Sequence, residues 1–430
     1  MNFKFVHAAD LHLDGPFSGL KNQLPEQMSA LAINASLDAL DALADLCLDE
    51  SVDFLLLAGD IFDLTSPSLR AQVKFRDTIN RLDEAGIRTF RVAGNHDPID
   101  GSWADLTFPA LTHFFGDRFE GVRLTVDDKC VEIFGFSHPT PQYSNDPLRN
   151  VGWPQVPRDV FRIGLLHTDL DGSAGDHYAP TALERLTASG FDYWALGHLH
   201  RPVVIRSQNP AVVYAGTPQG RDFGETGAHG CFLVTVQDGI PHPSFRPLDT
   251  VRWLDLPLQV TSNIADENAL LEMTISSLKD LDTSLGGRPV VLRIRYSGQS
   301  PLGPRMDDIV AQRDLLETLR DSLPDSPKMW LDTIIWKVNA EINRNSLRER
   351  EDLPGDVRRA KEAALRANES STPPHAPGID GLPQALDEIF AAEPRLARWV
   401  SGGSRRWDMA EILEDAEDIV LGLLVKEGLQ

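Results

Sequence analysis

The sequence of 430 residues lacks any apolar run long enough to cross a membrane. Its longest runs, Phe54–Ala58 and Ile419–Val425, fall far short of the ~20 residues that a transmembrane helix needs. The N-terminus also lacks the features of a secretory signal, because a lysine and Asp10 interrupt its first apolar residues. We therefore expect a cytoplasmic protein without a membrane segment.

Cysteine is scarce, and the three cysteines lack the close pairing of a zinc-binding motif (Cys47, Cys130 and Cys231). An odd number of cysteines argues against a disulfide scaffold and fits a reducing cytoplasm. The remaining composition is that of a globular protein, with 42% hydrophobic and 24% charged residues, and it excludes a wholly disordered chain. At roughly 150 residues per domain, the length predicts two or three domains.

Basic residues are in deficit, since 41 lysines and arginines face 64 acidic residues and leave a formal net charge of −23. A protein that binds DNA through its own surface is usually basic, because contacts with phosphates supply much of the affinity. Two interpretations remain open at this point. Either the protein does not bind nucleic acid, or it does so through bound cations and a partner.

Five strand-like apolar runs in the first 250 residues each end in a small polar cluster. The runs are Phe3–Ala9, Phe54–Ala58, Thr89–Ala93, Arg162–Leu166 and Tyr193–Leu196. Between the first two runs, apolar residues recur at steps of four and three and predict an amphipathic helix (Ile33, Leu37, Leu40, Ala44 and Cys47). Strands alternating with helices predict an α/β fold, in which loops at the carboxyl ends of strands gather at one site. We therefore expect the polar clusters to converge.

The sequence pattern changes after residue 250 and again after residue 340. Residues 251–340 alternate predicted strands and helices and suggest a small α/β cap domain (Val251–Val260, Asp266–Leu281, 290–296, Met306–Leu323 and Trp330–Val338). Residues 341–381 have the composition of a charged helix followed by a Pro-rich linker. Residues 382–430 contain a helical segment with an apolar stripe, which either packs on its own domain or docks on another protein.

Seven polar side chains in these clusters are of the types that bind a borderline-hard divalent ion. They are Asp10, His12, Asp60, Asn95, His167, His198 and His200. No thiolate is among them, and the mixture of carboxylate, imidazole and amide oxygen suits Mn²⁺, Fe²⁺ or Zn²⁺. Seven ligands exceed what one ion needs. With Asp60 bridging, they divide between two ions about 3.5–4 Å apart, as in hydrolysis at phosphorus.

Each of these fragments alone has a structural explanation, but their occurrence together and in order resembles the calcineurin-like metallophosphoesterases. The particular motifs resemble those of the SbcD-type DNA repair exonucleases, and especially of their YhaO-type bacterial branch. The motifs are His7-Ala-Ala-Asp-Leu-His-Leu-Asp14, Leu57-Ala-Gly-Asp-Ile-Phe-Asp63, Val92-Ala-Gly-Asn-His-Asp97, Leu196-Gly-His-Leu-His200 and Tyr214-Ala-Gly-Thr-Pro-Gln219. The resemblance covers residues 1–250 and implies an α+β sandwich as the nuclease core, with a cap that is similar in outline only.

The resemblance also implies roles for particular residues. It implies one ion held by Asp10, His12, Asp60 and His200, and a second held by Asp60, Asn95, His167 and His198. His96 would lie beside the metals and orient the scissile phosphate or protonate the leaving oxygen. We expect Asp97 to orient His96, because a neighbouring carboxylate fixes the tautomer of an imidazole. The sequence departs from part of the family at Asp63, where some members have a second catalytic histidine.

Two further residues are candidates for contact with a substrate. Arg221 follows a predicted strand and could reach a phosphate, although a surface turn explains it equally well. His138 could line the cleft, and a structural role is its alternative.

The leading hypothesis is a Mn²⁺-dependent exonuclease that acts on DNA ends during repair. The resemblance implies a partner, an SMC-like coiled-coil ATPase to which residues 382–430 could dock, and a homodimer formed through core helices. Because the chain is acidic, we expect the partner to supply the DNA-binding track. One alternative is a phosphoesterase for a small phosphomonoester or a cyclic nucleotide. Another is a non-catalytic scaffold on the same fold, which the complete ligand set disfavours.

Overall fold

The computed structural model describes most of residues 2–340. The residues left out are 14, 16, 20–23, 64–67, 102, 127, 150, 153–159, 171–177 and 324–327, and beyond residue 340 the described positions are 355, 358, 359, 361 and 362. The predicted segment 382–430 therefore lies outside the described residues, as does almost all of 341–381, and both stay predictions. Within the described part of the chain, every helix is too short or too polar to cross a membrane.

The described residues form fifteen strands and five helices. In chain order they are β1 (Phe3–Ala8), α1 (Glu26–Asp49), β2 (Phe54–Ala58), α2 (Leu69–Glu84), β3 (Arg88–Val92), β4 (Thr112–Phe114), β5 (Glu120–Val126), β6 (Lys129–Phe136), β7 (Val160–His167), α3 (Leu183–Thr187), β8 (Tyr193–Gly197), β9 (Val203–Arg206), β10 (Ala211–Tyr214), β11 (Gly230–Gln237), β12 (Ile240–Pro247), β13 (Arg252–Val260), α4 (Glu267–Leu285), β14 (Val290–Gln299), α5 (Ile309–Ser322) and β15 (Met329–Asn339). Twelve strands form two six-stranded sheets, ordered β12-β11-β1-β2-β3-β4 and β5-β6-β7-β8-β10-β9, and β13, β14 and β15 form a third sheet.

The strands that lead to the predicted site are parallel to one another in each six-stranded sheet. In the first sheet, β2 pairs in parallel with both β1 and β3. In the second sheet, β7 pairs in parallel with β6 and β8, and β8 pairs in parallel with β10. Because the carboxyl ends of parallel strands meet at the same edge, the polar clusters of each sheet lie together.

Apolar side chains fill the space between these two sheets. The ring of Phe5 stacks on Phe54 of the same sheet and meets the edge of Tyr193 from the second sheet, both with centroids 5.1 Å apart. All three rings are fully buried, and burial of each stabilises the fold by about 1.5–3 kcal/mol. The opposite face of the first sheet is covered by α1 and α2 through residues such as Leu40 and Phe75. The two packed sheets confirm the predicted α/β sandwich.

The five strands predicted from the sequence are confirmed to within two residues at each end. The predicted helix is present as α1, and four members of its apolar stripe are buried (Leu37, Leu40, Ala44 and Cys47). The assignment of Ile33 to the buried face is wrong, because its side chain is 65% exposed. Arg70 Nη2 lies 2.6 Å from Asn34 Oδ1, which places the first turn of α2 beside this point. Ile33 therefore lies on α1 beside the point where α2 begins.

The chain divides into two compact units. The first comprises Met1–Asp255, Leu285–Leu292 and Ser326–Asp332, and the second comprises Leu256–Ser284, Arg293–Asp325 and the described residues of Thr333–Gln430. Within the second unit, the hydroxyl groups of Thr274 on α4 and Tyr296 on β14 are 2.8 Å apart and buried. The predicted strands and helices of residues 251–340 are all present, as β13, α4, β14, α5 and β15.

Candidate metal centre

The loops after β1 and β2 are joined by backbone hydrogen bonds. The Asp10 amide donates to the Gly59 carbonyl at 3.0 Å, and the His12 amide donates to the Asp60 carbonyl at 3.0 Å. Asp10, His12 and Asp60 all have left-handed backbones, with φ of 52°, 41° and 50°. This conformation is uncommon outside glycine and is tolerated where the surrounding structure enforces it, often at functional sites. The two loops thus hold three predicted ligands at one edge of the first sheet.

The buried carboxylate of Asp97 fixes the loop after β3 to the loop after β2. Asp97 Oδ1 accepts the backbone amides of Gly94 at 2.7 Å and Asp60 at 3.0 Å, and Oδ2 accepts the amide of Ile61 at 3.0 Å. Arg91 Nη2 also donates to Oδ2 at 2.5 Å. Burial raises the pKa of Asp97, while the Arg91 charge opposes the shift. The guanidinium carbon of Arg91 lies 5.2–5.9 Å from the centroids of three rings (Phe62, Phe75 and Phe114).

His167, the last residue of β7, brings an imidazole from the second sheet to this edge. Its Nδ1 is 2.9 Å from the carbonyl oxygen of Ala58, and this nitrogen must donate because a carbonyl only accepts. Its Nε2 lies 2.9 Å from Asn95 Oδ1 and 3.3 Å from Asp60 Oδ2. The nitrogen that a metal would use therefore faces two of the predicted ligands.

His198 and His200 follow β8 and are held at the site by different contacts. The His198 backbone has a φ of 108°, and its amide donates to both carboxylate oxygens of Asp10 at 3.1 Å. His200 Nδ1 is 2.5 Å from Glu225 Oε1. This contact directs the other nitrogen, Nε2, to within 3.1 Å of His12 Nε2. Two ring nitrogens that face each other at this distance suit a cation between them.

Three sets of side chains each bring three possible ligand atoms within 4.8 Å of one another: Asp10, His12 and His200; Asp10, Asp60 and His167; and His12, Asp63 and His96. Asp60 Oδ2 lies 3.8 Å from His12 Nε2 and 3.3 Å from His167 Nε2, so this carboxylate stands between imidazoles of the first two sets. Asp10 belongs to both of these sets, and the bridging role of Asp60 stays a prediction. His198 lies outside these three sets, although its amide contacts Asp10.

The buried charges of the site, as well as the arrangement of its side chains, fit divalent ions. Burial raises the pKa of Asp10 to about 6, although the charges of His167 and His200 oppose the shift. Burial also acts to raise the pKa of Asp60, but the charge and hydrogen bond of His167, together with the charges of His12 and His96, outweigh burial and lower the pKa. Burial lowers the pKa of His12 to about 3 and keeps its ring neutral, as a ligand must be.

His167 balances these carboxylates when no metal does so. Burial lowers the pKa of His167, but the charges of Asp60 and Asp10 outweigh burial and raise it to about 9. A buried carboxylate needs a partner of opposite charge, which a protonated imidazole or a cation can supply. The oxygen and nitrogen donors suit Mn²⁺, Fe²⁺ or Zn²⁺, and the residues present fit two such ions.

His96 lies at the edge of the site, with 40% of its side chain exposed. Its amide donates to Asp60 Oδ1 at 2.8 Å, and its ring Nδ1 is 3.2 Å from Asp63 Oδ1. The hydrogen bond with Asp63 is the main cause of the raised pKa of His96. The prediction that Asp97 orients His96 is therefore wrong, because the Asp97 carboxylate contacts backbone amides and Arg91 while Asp63 contacts the ring.

The two predicted substrate contacts lie in different surroundings. Arg221 Nη1 is 3.6 Å from Asp63 Oδ2 and its Nη2 is 3.7 Å from Glu225 Oε1, so its side chain adjoins the site. His138 is fully buried, and its Nε2 lies 2.8 Å from the carbonyl oxygen of His167. Burial lowers the pKa of His138 to about 4. This position supports a metal ligand and does not favour contact with a substrate.

Glu225 and Arg91 are the site residues that sequence reasoning missed. Glu225 lies in a polar loop four residues after Arg221, and that interval carries no motif. Arg91 lies inside β3, where alternation alone predicts an exposed side chain. Metal-bound histidines usually donate their second nitrogen to a carboxylate, so such a partner was to be expected, but nothing in the 25 residues after His200 marks Glu225 as that partner.

Two family models and several known proteins are similar to this chain. The family model for calcineurin-like phosphoesterases matches residues 3–202, and the model for the middle domain of the metallophosphoesterase YhaO matches residues 253–339. The uncharacterised metallophosphoesterase YhaO of Bacillus subtilis (strain 168) is 36% identical over 303 residues, which are 69% of this chain and 72% of that protein. One component of the nuclease SbcCD of the same organism is 27% identical over 273 residues, or 55% of this chain and 66% of that protein. A dimetal phosphatase from Danio rerio is 12% identical, with a TM-score of 0.33 over 55% of this chain and 93% of the other.

Proposed function

Since the chain belongs to the calcineurin-like phosphoesterases, we propose that it is a metal-dependent exonuclease that hydrolyses phosphodiester bonds at DNA ends. The chain is a metallophosphoesterase, and our proposal adds that its substrate is DNA. The support for that step is the 27% identity with a relative named as a component of a nuclease, together with the motifs quoted above.

One observation carries the proposal for the reaction. The Asp60 carboxylate is 2% exposed and stands between His12 and His167, each of which belongs to a separate set of possible ligands. Two divalent ions, which we propose to be Mn²⁺, would supply Lewis-acid activation of a phosphoester and of the attacking water. In our proposal Asp10, His12, Asp60 and His200 hold one ion, and Asp60, Asn95, His167 and His198 hold the other.

The protein's own side chains orient the substrate and handle the proton. Asp63 holds Nδ1 of His96 and fixes the ring, which leaves Nε2 to contact a phosphate oxygen or to donate a proton to the leaving oxygen. The ring of His12 lies edge-on to His96 with centroids 4.9 Å apart, so His96 adjoins the candidate ligands without belonging to the two ion sets. His96 is therefore our candidate for the catalytic residue.

The first experiment compares linear double-stranded DNA with a small phosphomonoester and a small phosphodiester. Each substrate is incubated with the purified full chain in Mn²⁺, in EDTA, and with the variant Asp60→Asn. We expect Mn²⁺-dependent release of nucleotides from DNA ends and a loss of at least about 10³-fold in Asp60→Asn. Asp41→Asn is the matched control, because it removes a half-buried carboxylate of α1 that pairs with Lys74 and should retain the parent's rate.

The outcome also decides between the proposed function and its alternative. Turnover of the small esters without attack on DNA would contradict the nuclease proposal and support a small phosphoester as substrate. If the chain bound fewer than two ions after Mn²⁺ loading, a non-catalytic scaffold would become the better explanation.

We also propose that a coiled-coil ATPase partner supplies most of the contact with DNA. The net charge of −23 disfavours tight binding of DNA by the isolated chain, so the partner would neutralise phosphates along the duplex. We expect the isolated chain to bind DNA weakly, with an affinity that changes little between low and moderate salt. Tight binding that falls steeply with salt would contradict this division of roles.

A further inference from the structure

We propose that Asp63, Arg221 and Glu225 form a positioning relay that couples the His96 imidazole to the metal ligand His200. The inference uses the metallophosphoesterase site itself and holds for any phosphoester, so it does not depend on DNA as the substrate. The relay has five members in a row, with one arginine at its centre and a carboxylate and an imidazole on each side.

Glu225 forms one side of the relay. Its Oε1 lies 2.5 Å from His200 Nδ1, and its Oε2 accepts the backbone amide of Arg221 at 2.8 Å. The carboxylate is 13% exposed, so water competes little for either contact. Both oxygens are therefore used to fix the ring of a predicted ligand and the main chain of the arginine.

Asp63 forms the other side in the same way. Its Oδ1 lies 3.2 Å from His96 Nδ1, and its Oδ2 lies 3.6 Å from Arg221 Nη1. Its side chain is 15% exposed. A single carboxylate thus contacts the candidate catalytic imidazole and the same guanidinium.

Arg221 joins the two sides because its guanidinium is a rigid, planar fork. Nη1 faces Asp63 at 3.6 Å, and Nη2 faces Glu225 at 3.7 Å. The space around it is narrow, since a Cβ atom built on Gly15 would lie 2.9 Å from Arg221 Nη1. Rotation of the fork towards one carboxylate would lengthen its contact with the other. Lysine, with one ammonium group, cannot contact both carboxylates in this way.

The two ends of the relay meet again at the candidate metal centre. The ring of His12 contacts both His96 and His200, with a centroid distance of 4.9 Å in each case. A shift that starts at Arg221 can therefore reach the candidate catalytic residue and the ligand set together. Groups joined in one network of this kind have effects that are not independent.

The test uses the full chain with Arg221→Met, Arg221→Lys, Asp63→Asn, Glu225→Gln and the double variant Asp63→Asn/Glu225→Gln. Calorimetry gives the dissociation constant for Mn²⁺, and kcat and KM are measured on whichever of the three substrates the parent hydrolyses. We expect Arg221→Met and Arg221→Lys to weaken Mn²⁺ binding about tenfold, although neither changes a predicted ligand. We expect kcat to fall more than KM rises, because the relay orients groups and does not hold the substrate.

The double variant tests the coupling itself. If the relay exists, Asp63→Asn and Glu225→Gln together should lower kcat by clearly less than the product of their separate effects. The matched control is Arg246→Met, which removes an arginine of β12. Arg246 Nη2 lies 3.3 Å from Glu50 Oε1, and its loss should leave Mn²⁺ binding unchanged. If Arg221→Met does not fold, Arg221→Lys retains the charge and gives the same measurement.

Two results would overturn the relay. One is an unchanged dissociation constant for Mn²⁺ in both Arg221 variants, with a rise in KM alone, which would make Arg221 a substrate contact. The other is a loss of kcat in the double variant that equals the product of the losses in Asp63→Asn and Glu225→Gln. The calorimetric result needs no substrate, so a failure to hydrolyse DNA would contradict the proposed nuclease and leave this test intact.

Discussion

The loops that carry the candidate ligands differ between the two sheets in what holds them in place. After β1, β2 and β3, the main chain itself is fixed, since backbone amides bond to a neighbouring loop or to the Asp97 carboxylate. Asp10 and Asp60 have left-handed backbones within these loops. Their carboxylates therefore take their positions from the backbone.

After β7 and β8, the imidazoles depend on individual contacts of their rings. His167 donates through Nδ1 to the Ala58 carbonyl, and His200 contacts Glu225 through the corresponding nitrogen. The first sheet thus provides Asp10 and Asp60 at positions set by the main chain, and the second provides His167 and His200, whose rings are each oriented by a contact of Nδ1. We expect changes at the partners of the rings to affect metal binding, and changes at Asp97 to affect stability as well.

The largest effect is expected at Gly59, where the main chain of the loop after β2 lies against the His167 side chain of the second sheet. A Cβ atom at Gly59 would lie 2.5 Å from His167 Nδ1 and 2.8 Å from its Cβ. In Gly59→Ala the His167 ring must therefore move and give up its bond to Ala58. We expect Mn²⁺ affinity and metal-dependent turnover to fall about 100-fold. Calorimetry and steady-state rates measure both.

Gly86→Ala is the control for the backbone cost of this change. Gly59 and Gly86 have similar positive φ angles, 87° and 78°, so alanine costs about 1 kcal/mol or more at either position. A Cβ atom at Gly86 would have no neighbour within 4 Å. If both variants had the same Mn²⁺ affinity, the contact between Gly59 and His167 would have no part in holding the ligand.

A smaller effect on Mn²⁺ binding is expected from Asp97→Asn, which tests the backbone support of the first sheet. The amide nitrogen of asparagine would face a donor, either Arg91 or a backbone amide, and a buried charge pair would be broken. We expect the free energy of unfolding to fall by about 3 kcal/mol in urea titrations with EDTA present. We also expect weaker Mn²⁺ binding, since Asp97 holds the amide of Asp60.

Asp192→Asn is the matched control for this variant. Asp192 also accepts a backbone amide, that of Arg162 at 2.8 Å, but it lies directly before β8, at the opposite end of that strand from His198. We expect a smaller loss of stability and unchanged Mn²⁺ binding. Equal losses of Mn²⁺ affinity in the two variants would show that Asp97 has no particular role in the site.

The convergence of the candidate ligands could be predicted from the sequence because they lie at or soon after the ends of buried strands. Asp10 and Asp60 follow apolar runs, and the carboxyl ends of neighbouring parallel strands meet at one edge, so their convergence follows from the fold class. The partners of the rings could not be predicted in this way. Glu225 reaches His200 across 25 residues, through loops whose path depends on tertiary packing.

Adjacency in sequence was also misleading in one case. Asp97 follows His96 directly, but the chain bends at residues 95–97, so the two side chains point in different directions. The Asp97 carboxylate therefore turns to the backbone, and Asp63, which is 33 residues from His96 in the sequence, contacts its ring. His138 was misjudged for a related reason, because it follows β6 and its buried ring contacts the His167 carbonyl at the end of the neighbouring strand β7.

The two sheets are also joined by a polar contact between β1 and β8. His7 Nδ1 is 3.1 Å from the hydroxyl of Tyr193, and both side chains are fully buried. Burial lowers the pKa of His7 to about 3. The unfolded chain exposes this ring to water, where its pKa is about 6.5. Protons therefore bind the unfolded state more strongly between these two values.

The smallest effect is expected from His7→Gln, seen in the pH dependence of stability. The stability that a neutral His7 contributes is fully present above pH 6.5 and is lost as the pH falls towards 3. Between pH 7 and pH 5 we expect the parent to lose about 2 kcal/mol more of its free energy of unfolding than His7→Gln. Urea titrations with EDTA measure this difference, with the exposed His242→Gln as the control that should follow the parent. If His7→Gln lost as much stability as the parent on acidification, the contact between His7 and Tyr193 would tolerate a charge on His7. The positions of the second sheet's candidate ligands would then depend on their ring contacts alone.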